Sequence, residues 1–508
     1  MLATFTRFAV AVIVAALVFA SSAQAQYAPG PCRAAASNGI RLTVEPRANH
    51  ALIADATVNL SVAAPVYVEY GSDQLGWLRT RTTDTGTSHR LPIVRLRAET
   101  TYQARAFALY GADCPMAVAQ AQFTTGQLPE LLQRYAVEAS GRPSFPLAIM
   151  DWRVVPPASG PNRSGRILRW LAVLDVEGHM VWYYIPHQSA AEGLNLLVKR
   201  LANGNWLYQA QSYGFGEVSP DARPVRMFPM GNRGGQLPHR DFLQLPNQRV
   251  LYIGNETRSI DDTINGGPPD FKLVGDTLHM LDLETGEPQR VWSVFEVLSP
   301  TERPEHWRGH LEDGQGEWTH ANTVSLGPHG NILLSFRQTD QVISLSADLR
   351  TVEWKLGGPG SDFAFPDPSD RFFGQHSAQE LPGGRILMFD NGNFRPEGEY
   401  SRALELQLDF QTMTAHKVWE YRHDPDIYSS KVGNVVRLPN GNTTVNFGFR
   451  GDELLDPSVL VEALPDGTAA WQQTLKLPDA IQNRYRVYPV DSLAGEQSVQ
   501  PTVVETPS

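Results

Sequence analysis

Alternating apolar and polar positions mark the first part of the chain. The alternation occurs in four short segments, at residues 40–44, 56–62, 66–70 and 102–107. Because successive side chains of a strand point to opposite faces of a sheet, a repeat of two residues predicts half-buried strands. We therefore expect residues 27–126 to form a small β-sandwich, with residues 127–130 as the junction to the rest of the chain.

The same segment resembles fibronectin type III domains at two places. Tyr102 follows Leu96 and a pair of threonines, and the segment closes with the sequence FTTG at 123–126. In those domains the tyrosine caps a corner, and the final strand completes the sheet. No residues here have catalytic spacing, so we expect a packing or assembly domain.

Two phrases repeat through residues 130–508. The first is a turn and then a strand ending in Trp, at 175–182, 282–292, 347–354, 409–419 and 464–471. The second is Leu, a turn and an apolar strand, at 201–207, 245–251, 326–333, 381–387 and 438–445. The long interval from Trp182 to Trp292 is expected to contain a degenerate unit, at Leu245, without a Trp of its own.

About six units of roughly 50–65 residues result from this count. Short strands and turns in such units are typical of a six-bladed β-propeller. A β-helix would need shorter and stricter repeats, and a sandwich would not repeat the Trp phrase. The predicted fold class is therefore all-β, with a propeller at 130–508 after the sandwich.

The composition fits a globular protein with many turns. The 508 residues exceed one small core, and 42% hydrophobic with 19% charged residues is ordinary. The 42 glycines and 37 prolines favour turns over long helices. The formal net charge of −11 argues against a nucleic-acid partner, because phosphate binding needs a basic surface.

Residues 1–25 have the pattern of a secretory signal peptide. Arg7 precedes an apolar run at 8–20, and AQA at 23–25 has the form of a cleavage site. The run is shorter than the roughly 20 residues that span a bilayer, which favours cleavage over an uncleaved membrane anchor. We therefore expect a periplasmic protein without membrane association after cleavage.

The chain has two cysteines, Cys32 and Cys114. In an oxidising compartment an isolated pair is expected to form one disulfide. This pair brackets the predicted sandwich, and a cysteine-rich zinc site is not expected.

Three of the 13 histidines share a position relative to the repeated Leu phrase. His239, His320 and His376 precede the opening Leu by five or six residues. Equivalent positions of different propeller blades converge on one mouth of the central channel, so we expect these imidazoles to meet there. The alternative is that each is a hydrogen-bonded core residue of its own blade. The other histidines are expected at solvated surfaces.

Arg337 follows the apolar segment 332–336 and adds a cation to the same region. Its planar guanidinium suits a tetrahedral oxyanion such as sulfate or phosphate, and a carboxylate partner is the alternative. Three imidazoles could also hold zinc. Against zinc, only Asp241 accompanies them as a carboxylate, and Arg337 would repel a divalent cation. We expect no metal and no cofactor.

Seven short phrases then occur in order: 318–322 (WTHAN), 333–337 (LLSFR), 354–358 (WKLGG), 375–376 (QH), 389–392 (FDNG), 400–403 (YSRA) and 418–421 (VWEY). Together they resemble the bacterial arylsulfate sulfotransferase family, over about residues 230–450. The resemblance implies an exported enzyme with an N-terminal β-sandwich and a six-bladed propeller.

The resemblance also implies a reaction and its residues. A sulfuryl group would move from a phenolic sulfate ester to a phenol acceptor through a sulfohistidine, without a nucleotide sulfate donor. His376 would be the nucleophile, while His320, Arg337 and, less closely, His239 would contact the sulfuryl oxygens. Asn322 would support substrate binding in the same pocket. The sandwich domain could mediate a homodimer.

One position departs from the family pattern. Ser377 stands where the family often has Asp, so a carboxylate that orients His376 would have to come from elsewhere. Two other functions stay open. One is a non-catalytic exported propeller that binds a ligand or partner protein at the same mouth, and the other is an aryl sulfate hydrolase in which water replaces the acceptor.

Overall fold

A computed structural model of the protein describes residues 41–500, except 73, 111–114, 156–167, 187–195, 211–212, 231–236, 308–314, 450–456 and 478–480. This part of the chain is all-β, without α-helices, and its short 3-10 turns include Glu130–Gln133, Thr263–Asn265, Val294–Glu296, Arg337–Thr339 and Pro368–Asp370. None of its helical turns is long and apolar enough to cross a membrane. The predicted signal peptide at 1–25 and the predicted Cys32–Cys114 disulfide lie outside the described residues and stay predictions.

Seven strands form the first part of the chain: β1 Arg41–Pro46, β2 Ala54–Ala64, β3 Val66–Ser72, β4 Gly76–Arg79, β5 Gly86–Ile93, β6 Thr101–Leu109 and β7 Pro115–Thr124. They make two sheets, β1–β2–β5 and β4–β3–β6–β7, and the C-terminal strand Gln497–Val499 pairs with β4. The four alternating segments overlap β1, β2, β3 and β6, so the strand prediction is confirmed. Their inward side chains pack in one apolar cluster between the sheets.

The predicted corner tyrosine has the expected backbone contact. The hydroxyl of Tyr102 accepts a hydrogen bond of 2.8 Å from the N–H of Arg97, and its ring stacks on Phe123 at 5.5 Å. The buried ring thereby fixes the turn that precedes β6.

The remaining strands are β8 Ala136–Gly141, β9 Leu147–Val155, β10 Leu168–Asp175, β11 Met180–Tyr184, β12 Leu196–Arg200, β13 Trp206–Ala210, β14 Gly214–Val218, β15 Pro224–Pro229, β16 Phe242–Leu245, β17 Arg249–Ile260, β18 Phe271–Asp282, β19 Pro288–Ser293, β20 Gln315–Glu317, β21 Ala321–Leu326, β22 Ile332–Phe336, β23 Gln341–Leu345, β24 Val352–Leu356, β25 His376–Leu381, β26 Arg385–Asp390, β27 Arg402–Asp409, β28 Thr414–Arg422, β29 Asn434–Arg437, β30 Thr443–Phe447, β31 Ser458–Ala463, β32 Ala469–Lys476, β33 Ile481–Asn483 and β34 Val487–Val490.

These strands make six sheets, numbered here in chain order. Sheet 1 has the order β11–β10–β9–β33, with β34 also on β9. Sheets 2 to 5 are the meanders β12–β15, β16–β19, β21–β24 and β25–β28, and β20 joins β18 of sheet 3 in parallel. Sheet 6 is β29–β32 with β8 at its edge. Each end of the segment thus completes a sheet built mainly from the opposite end.

The repeated phrases occupy constant places in these sheets. The Trp phrases end in the last strand of the meander in sheets 1, 3, 4, 5 and 6, while the Leu phrases join the first and second strands of sheets 2 to 6. One detail of the expected repeat was wrong. The unit without the Trp phrase is that of Leu201, in sheet 2, because Leu245 shares sheet 3 with Trp292.

Side-chain hydrogen bonds connect the sheets near their first strands: Val324 N to Asp241 Oδ2 at 3.1 Å, Ser325 Oγ to Ala378 O at 3.0 Å, Gln379 Nε2 to Val435 O at 2.9 Å, and Asn434 Nδ2 to Val487 O at 2.8 Å. Apolar clusters fill the space between sheets 3 and 4 and between sheets 4 and 5. Each fully buried Leu or Ile there stabilises the fold by about 1.5–3 kcal/mol. The first strands, which position the candidate site, are therefore held rigidly.

Candidate active site

The predicted site residues lie at matching places in their sheets. His239 precedes β16, His320 immediately precedes β21, and His376 is the first residue of β25. Arg337 follows the last residue of β22, and its backbone N–H donates to the carbonyl of His320 at 3.2 Å. The three histidines therefore lie at or shortly before the first strand of their sheets.

Glu317 lies between two of the imidazoles. His320 Nδ1 is 2.7 Å from Glu317 Oε2, and His239 Nε2 is 3.7 Å from Glu317 Oε1. The two rings are edge to face, with centroids 6.5 Å apart. Arg240 Nη1 reaches the same carboxylate at 3.2 Å. The structure thus brings His239 and His320 together around a carboxylate that the sequence analysis did not assign.

The charges around Glu317 set the protonation of this cluster. Burial opposes ionisation of Glu317, but His320 and Arg240 hold the pKa of its carboxyl well below the usual range. Burial, assisted by Arg240, lowers the pKa of His320 to about 4. Burial and Arg240 also hold the pKa of His239 well below its usual value. At neutral pH the cluster is an ionised carboxylate between two neutral imidazoles.

His376 has a different partner. Its Nδ1 is 2.7 Å from Asn391 Oδ1 and 3.2 Å from the carbonyl oxygen of Gly374, so both neighbours are acceptors. The amide orientation of Asn391 is fixed because its Nδ2 donates to Ser429 O at 2.6 Å and to Val432 O at 3.0 Å. Nδ1 of His376 must therefore carry the proton.

The other ring nitrogen of His376 is left as a base. Within the described part of the chain, Nε2 has no hydrogen-bond partner, and the neutral ring keeps a lone pair there. Burial, with the positive charges of Arg486 and Arg337, holds the pKa of His376 well below its usual value. Tyr485 lies against the ring edge to face at 6.3 Å. His376 is thus a buried neutral imidazole of one defined tautomer.

Gly374 shapes the turn that precedes His376. Its φ of 64° is left-handed, and a Cβ there would lie 2.2 Å from Asn393 Oδ1. The N–H of Gly374 donates to Asp340 Oδ1 at 2.7 Å. Glycine is therefore required for the backbone that presents its carbonyl to His376.

Gln375 connects this turn to β22, the strand that ends just before Arg337. Its Nε2 donates to Ser335 Oγ at 3.0 Å, to Gln341 O at 3.0 Å and to Phe336 O at 3.2 Å. The fully buried amide therefore fixes the start of β25 against the end of β22.

Arg337 has no carboxylate within ion-pairing distance among the residues that the structure describes. Its Nη2 donates to Ser430 O at 3.1 Å, its Cζ lies 4.5 Å from the ring centre of Trp307, and its Nε is buried without a hydrogen-bond partner. Burial and Arg240 lower its pKa to about 10, so it stays charged at neutral pH. Of the two uses predicted for this arginine, the geometry favours an anion clamp.

Asn322 is fully buried and bonded to the chain. Its Nδ2 donates to the backbone carbonyl of Gln375 at 2.6 Å, and its backbone carbonyl accepts from Arg486 Nη2 at 2.7 Å. These bonds hold the backbone before His376. A direct role of Asn322 in substrate binding stays a prediction.

Ser377 directs its side chain away from the imidazole of His376. Its Oγ contacts Val435 O at 3.3 Å, its N–H donates to Thr323 Oγ1 at 2.8 Å, and its φ is 58°. The left-handed backbone is a strained choice for Ser. An aspartate here would face the next sheet, so the departure from the family pattern does not remove a partner of His376.

A cluster of one histidine and two carboxylates with metal-binding geometry also occurs here. The ligand atoms of His239, Asp276 and Glu317 lie within 4.8 Å of one another. Asp276 and Glu317 are carboxylates that the sequence did not place beside His239, and their absence was one reason given against zinc. Glu317 is, however, already bonded by Arg240 and His320, and Asp276 Oδ2 accepts from Ala321 N at 2.7 Å. These bonds compete with a metal ion.

Several functional neighbours were missed from the sequence. Asn391 lies inside a phrase that carried the resemblance and Glu317 directly precedes one, whereas Arg240 and Arg486 had no signal of their own. The expectation of solvated surfaces was wrong for three other histidines, His50, His89 and His279, which are buried. Burial and local hydrogen bonds of this kind depend on contacts between distant segments, which a pattern along the chain does not reveal.

A family model described as Arylsulfotransferase (ASST) matches residues 163–486. No curated protein matches the chain. The fold is similar to a protein of unknown function from Bacteroides caccae, 14% identical over 65% of this chain and 94% of that one, with a TM-score of 0.38.

It is also similar to virginiamycin B lyase from Staphylococcus aureus, 10% identical over 86% of this chain and 100% of that one, with a TM-score of 0.31. At these identities and TM-scores, neither structure carries an argument about the activity of this chain.

Proposed function

The chain belongs to the arylsulfotransferase family and is an arylsulfate sulfotransferase, and we propose that it works through a sulfohistidine at His376 without a nucleotide sulfate donor. The donor is a phenolic sulfate ester and the acceptor a phenol. The family supports small aryl substrates in general; the covalent intermediate and the independence from nucleotides are our proposal.

The observation that carries the proposal is the tautomer of His376. Asn391 Oδ1 and the carbonyl of Gly374 both accept at Nδ1, so the basic lone pair is at Nε2. Because an amide partner does not add negative charge, the ring stays neutral, and its depressed pKa keeps it so in acid. A neutral imidazole with one free nitrogen is a nucleophile suited to carry a sulfuryl group.

The reaction divides into two transfers. In the first, Nε2 of His376 attacks sulfur, an N–S bond forms, and the S–O bond to the aryl group breaks with its electron pair leaving on the phenolate. In the second, the oxygen of the acceptor phenol attacks sulfur, and the N–S bond breaks with its pair returning to Nε2. Arg337 supplies fixed positive charge to the sulfuryl oxygens in both steps.

His320 moves the proton in this scheme. Its Nδ1–H donates to Glu317, which leaves Nε2 available. The negative charge of the bound ester raises the pKa of His320, so its Nε2 can take up a proton and give it to the departing phenolate. In the second transfer the same nitrogen accepts the proton of the acceptor phenol.

The larger architecture belongs to the same proposal. We take the six sheets of residues 136–490 as blades of a six-bladed propeller and the first two sheets as a fibronectin type III-like sandwich. The hydrogen bonds between first strands, the exchange of edge strands between the chain ends, and the Tyr102 contact support this arrangement. Export to the periplasm and a homodimer through the sandwich are further proposals.

Release of nitrophenol from 4-nitrophenyl sulfate tests the function. With purified protein, release should depend on added phenol and should produce phenyl sulfate in equal amount. Varying donor and acceptor together should give the parallel reciprocal plots of a two-step exchange.

Two results would contradict the proposal. Release that is indifferent to phenol, with inorganic sulfate as product, would indicate a hydrolase. Binding of the ester without release would indicate a non-catalytic binding protein.

A further inference from the structure

Two arginines oppose each other in sheet 1. Arg153 of β9 and Arg169 of β10 are direct partners in the antiparallel register. Their side chains therefore lie on the same face of the sheet, on neighbouring strands. Like charges directly opposite each other destabilise a strand pair, so this placement needs a compensating group.

The guanidinium of Arg169, like that of Arg484, has no hydrogen-bond partner. The side chain is 2% exposed, and Nε, Nη1 and Nη2 are all buried without a hydrogen bond. Nε of Arg153 is also buried and unbonded. Buried cations of folded proteins are almost always paired and hydrogen-bonded, because an unpaired one loses its hydration without replacement.

The carboxylate of Asp151 does not satisfy these donors. It is 3% exposed, and its Oδ1 accepts from the backbone N–H of Arg486 at 2.9 Å. No ion pair joins it to Arg153 or Arg169 within the described residues. Burial raises the pKa of Asp151 to about 7, whereas burial and Arg153 lower the pKa of Arg169 only to about 9. At neutral pH the group keeps a net positive charge.

Arg402 shows how the same fold treats a buried arginine with partners. It is 1% exposed, its Nε donates to Asp390 Oδ2 at 2.9 Å, and its Nη1 donates to Glu420 Oε2 at 2.9 Å. Its Nη2 donates to two backbone carbonyls. Arg169 has the same burial and none of these acceptors.

We propose that Arg153 and Arg169 form a binding site for a tetrahedral oxyanion, sulfate or phosphate, in addition to the anion site at Arg337. Such an ion offers several acceptor oxygens to planar guanidinium forks on neighbouring strands. It would neutralise the repulsion between the two arginines and replace the lost hydration of Arg169. The inference does not depend on the sulfotransferase reaction.

Equilibrium dialysis with labelled sulfate tests the site. All proteins carry Arg337→Gln, so that anion binding at the active site does not contribute, and sodium chloride keeps the ionic strength constant. We expect saturable binding of one sulfate, weakened by about 10- to 100-fold when Arg169→Met removes the charged donors. Arg153→Met is the second variant and should weaken binding as well.

Competition distinguishes the source of the ion. Unlabelled phosphate that displaces sulfate at comparable concentration supports a general tetrahedral oxyanion site, and displacement by sulfate alone supports a sulfate site. Chloride that displaces sulfate equally well would overturn the proposal, because a spherical ion does not use the guanidinium forks. Unchanged affinity in both methionine variants would overturn it too.

Thermal unfolding without sulfate gives an independent readout. Arg169→Met should raise the Tm in sulfate-free buffer, since it removes an unpaired buried charge, and should abolish the rise in Tm that sulfate causes. The matched control, Arg402→Met, should lower the Tm with or without sulfate because it removes one of the two arginines paired with the buried Asp390. A Tm of Arg169→Met that falls like that of the control would show that Arg169 has a partner within the chain, and would contradict the anion site.

Discussion

The two imidazoles at the starts of β21 and β25 have the same place in neighbouring sheets but opposite partners. His320 gives its Nδ1 proton to the carboxylate of Glu317, whereas His376 gives its own to the amide of Asn391. Both rings have depressed pKa values because both are buried. The partner therefore decides what each ring can become during the reaction.

A carboxylate stabilises an imidazolium, whereas an amide only fixes the tautomer. His320 can accept a proton and give it back, because Glu317 compensates the added charge. His376 has no such compensation, and Arg486 and Arg337 oppose its protonation. We therefore propose proton transfer for His320 and covalent transfer for His376.

Removal of the nucleophile should have the largest effect. His376→Asn lacks the attacking nitrogen, so the rate of nitrophenol release should fall by roughly 10⁴-fold or more. Steady-state rates with saturating phenol measure this. The control is His416→Asn, at an exposed position of β28, which should keep the parent rate. A His376→Asn protein that retains a tenth of the activity would refute the assignment of roles.

Exchange of the amide for a carboxylate should convert one environment into the other. Asn391→Asp places negative charge at Nδ1 of His376 and raises its pKa, so the ring becomes protonated near neutral pH. The rate of the first transfer should fall by roughly 10- to 100-fold at pH 6 and recover partly as the pH rises. Because two backbone carbonyls lose a donor, denaturant unfolding must accompany the kinetics. A pH-independent loss would argue against control by the tautomer and charge of the ring.

Exchange of the carboxylate for an amide, at Glu317, should make the rate depend more strongly on the leaving phenol. Glu317→Gln removes the charge that supports protonated His320, so esters of weakly acidic phenols should react about 100-fold more slowly. Esters of acidic phenols such as 4-nitrophenol need little protonation and should lose less than about fivefold. The dependence of rate on the pKa of the leaving phenol measures the difference. An equal loss for all esters would indicate that Glu317 serves only to hold Arg240.

The pH dependence should be weak for activity and marked for stability. The depressed pKa of His376 keeps the nucleophile neutral, so we expect the first transfer at pH 5.5 to stay within about twofold of its rate at pH 8. Below pH 6.5 the unfolded chain binds a proton at His320 that the folded chain does not bind until about pH 4. As the pH falls from 6.5 to about 4, His320 alone should therefore lower the free energy of unfolding by about 1.4 kcal/mol per pH unit.

Rapid-mixing kinetics and denaturant titrations at each pH check the two halves of this prediction. A rate that halves near pH 6.5 would indicate an ordinary imidazole at position 376.

The smallest effect is expected at the position that departs from the family pattern. Ser377→Asp puts a carboxylate toward Val435, away from the ring of His376, so kcat should change by less than about threefold. Aspartate tolerates the left-handed backbone better than serine, which offsets part of any repulsion. A large gain in kcat would mean that residue 377 does act on the nucleophile.

The sequence was informative where the signal was local or repeated. The strands, the constant places of the Trp and Leu phrases, and the positions of His239, His320 and His376 all follow from periodicity along the chain. The partners of the imidazoles do not. Asn391 reaches His376 across two strands of one sheet, and Arg486 reaches Asn322 from the far end of the chain. Such contacts depend on how strands and sheets are arranged in space.

The degenerate unit shows the same limit. Sheet 2 lacks the Trp phrase, and only the pairing of its strands reveals that the Leu201 unit, rather than the Leu245 unit, is the one without that phrase. Likewise, no pattern distinguishes a buried His279 from a surface histidine, because it is covered by its neighbours after folding.

Mass spectrometry of the protein after treatment with an aryl sulfate, without acceptor, tests the central claim most directly. The tautomer of His376 predicts a gain of one sulfuryl group, on the peptide that contains His376, which disappears when phenol is added and does not form in His376→Asn. A sulfuryl group found on His320 or His239, or full turnover without any covalent species, would contradict the assignment of covalent transfer to His376.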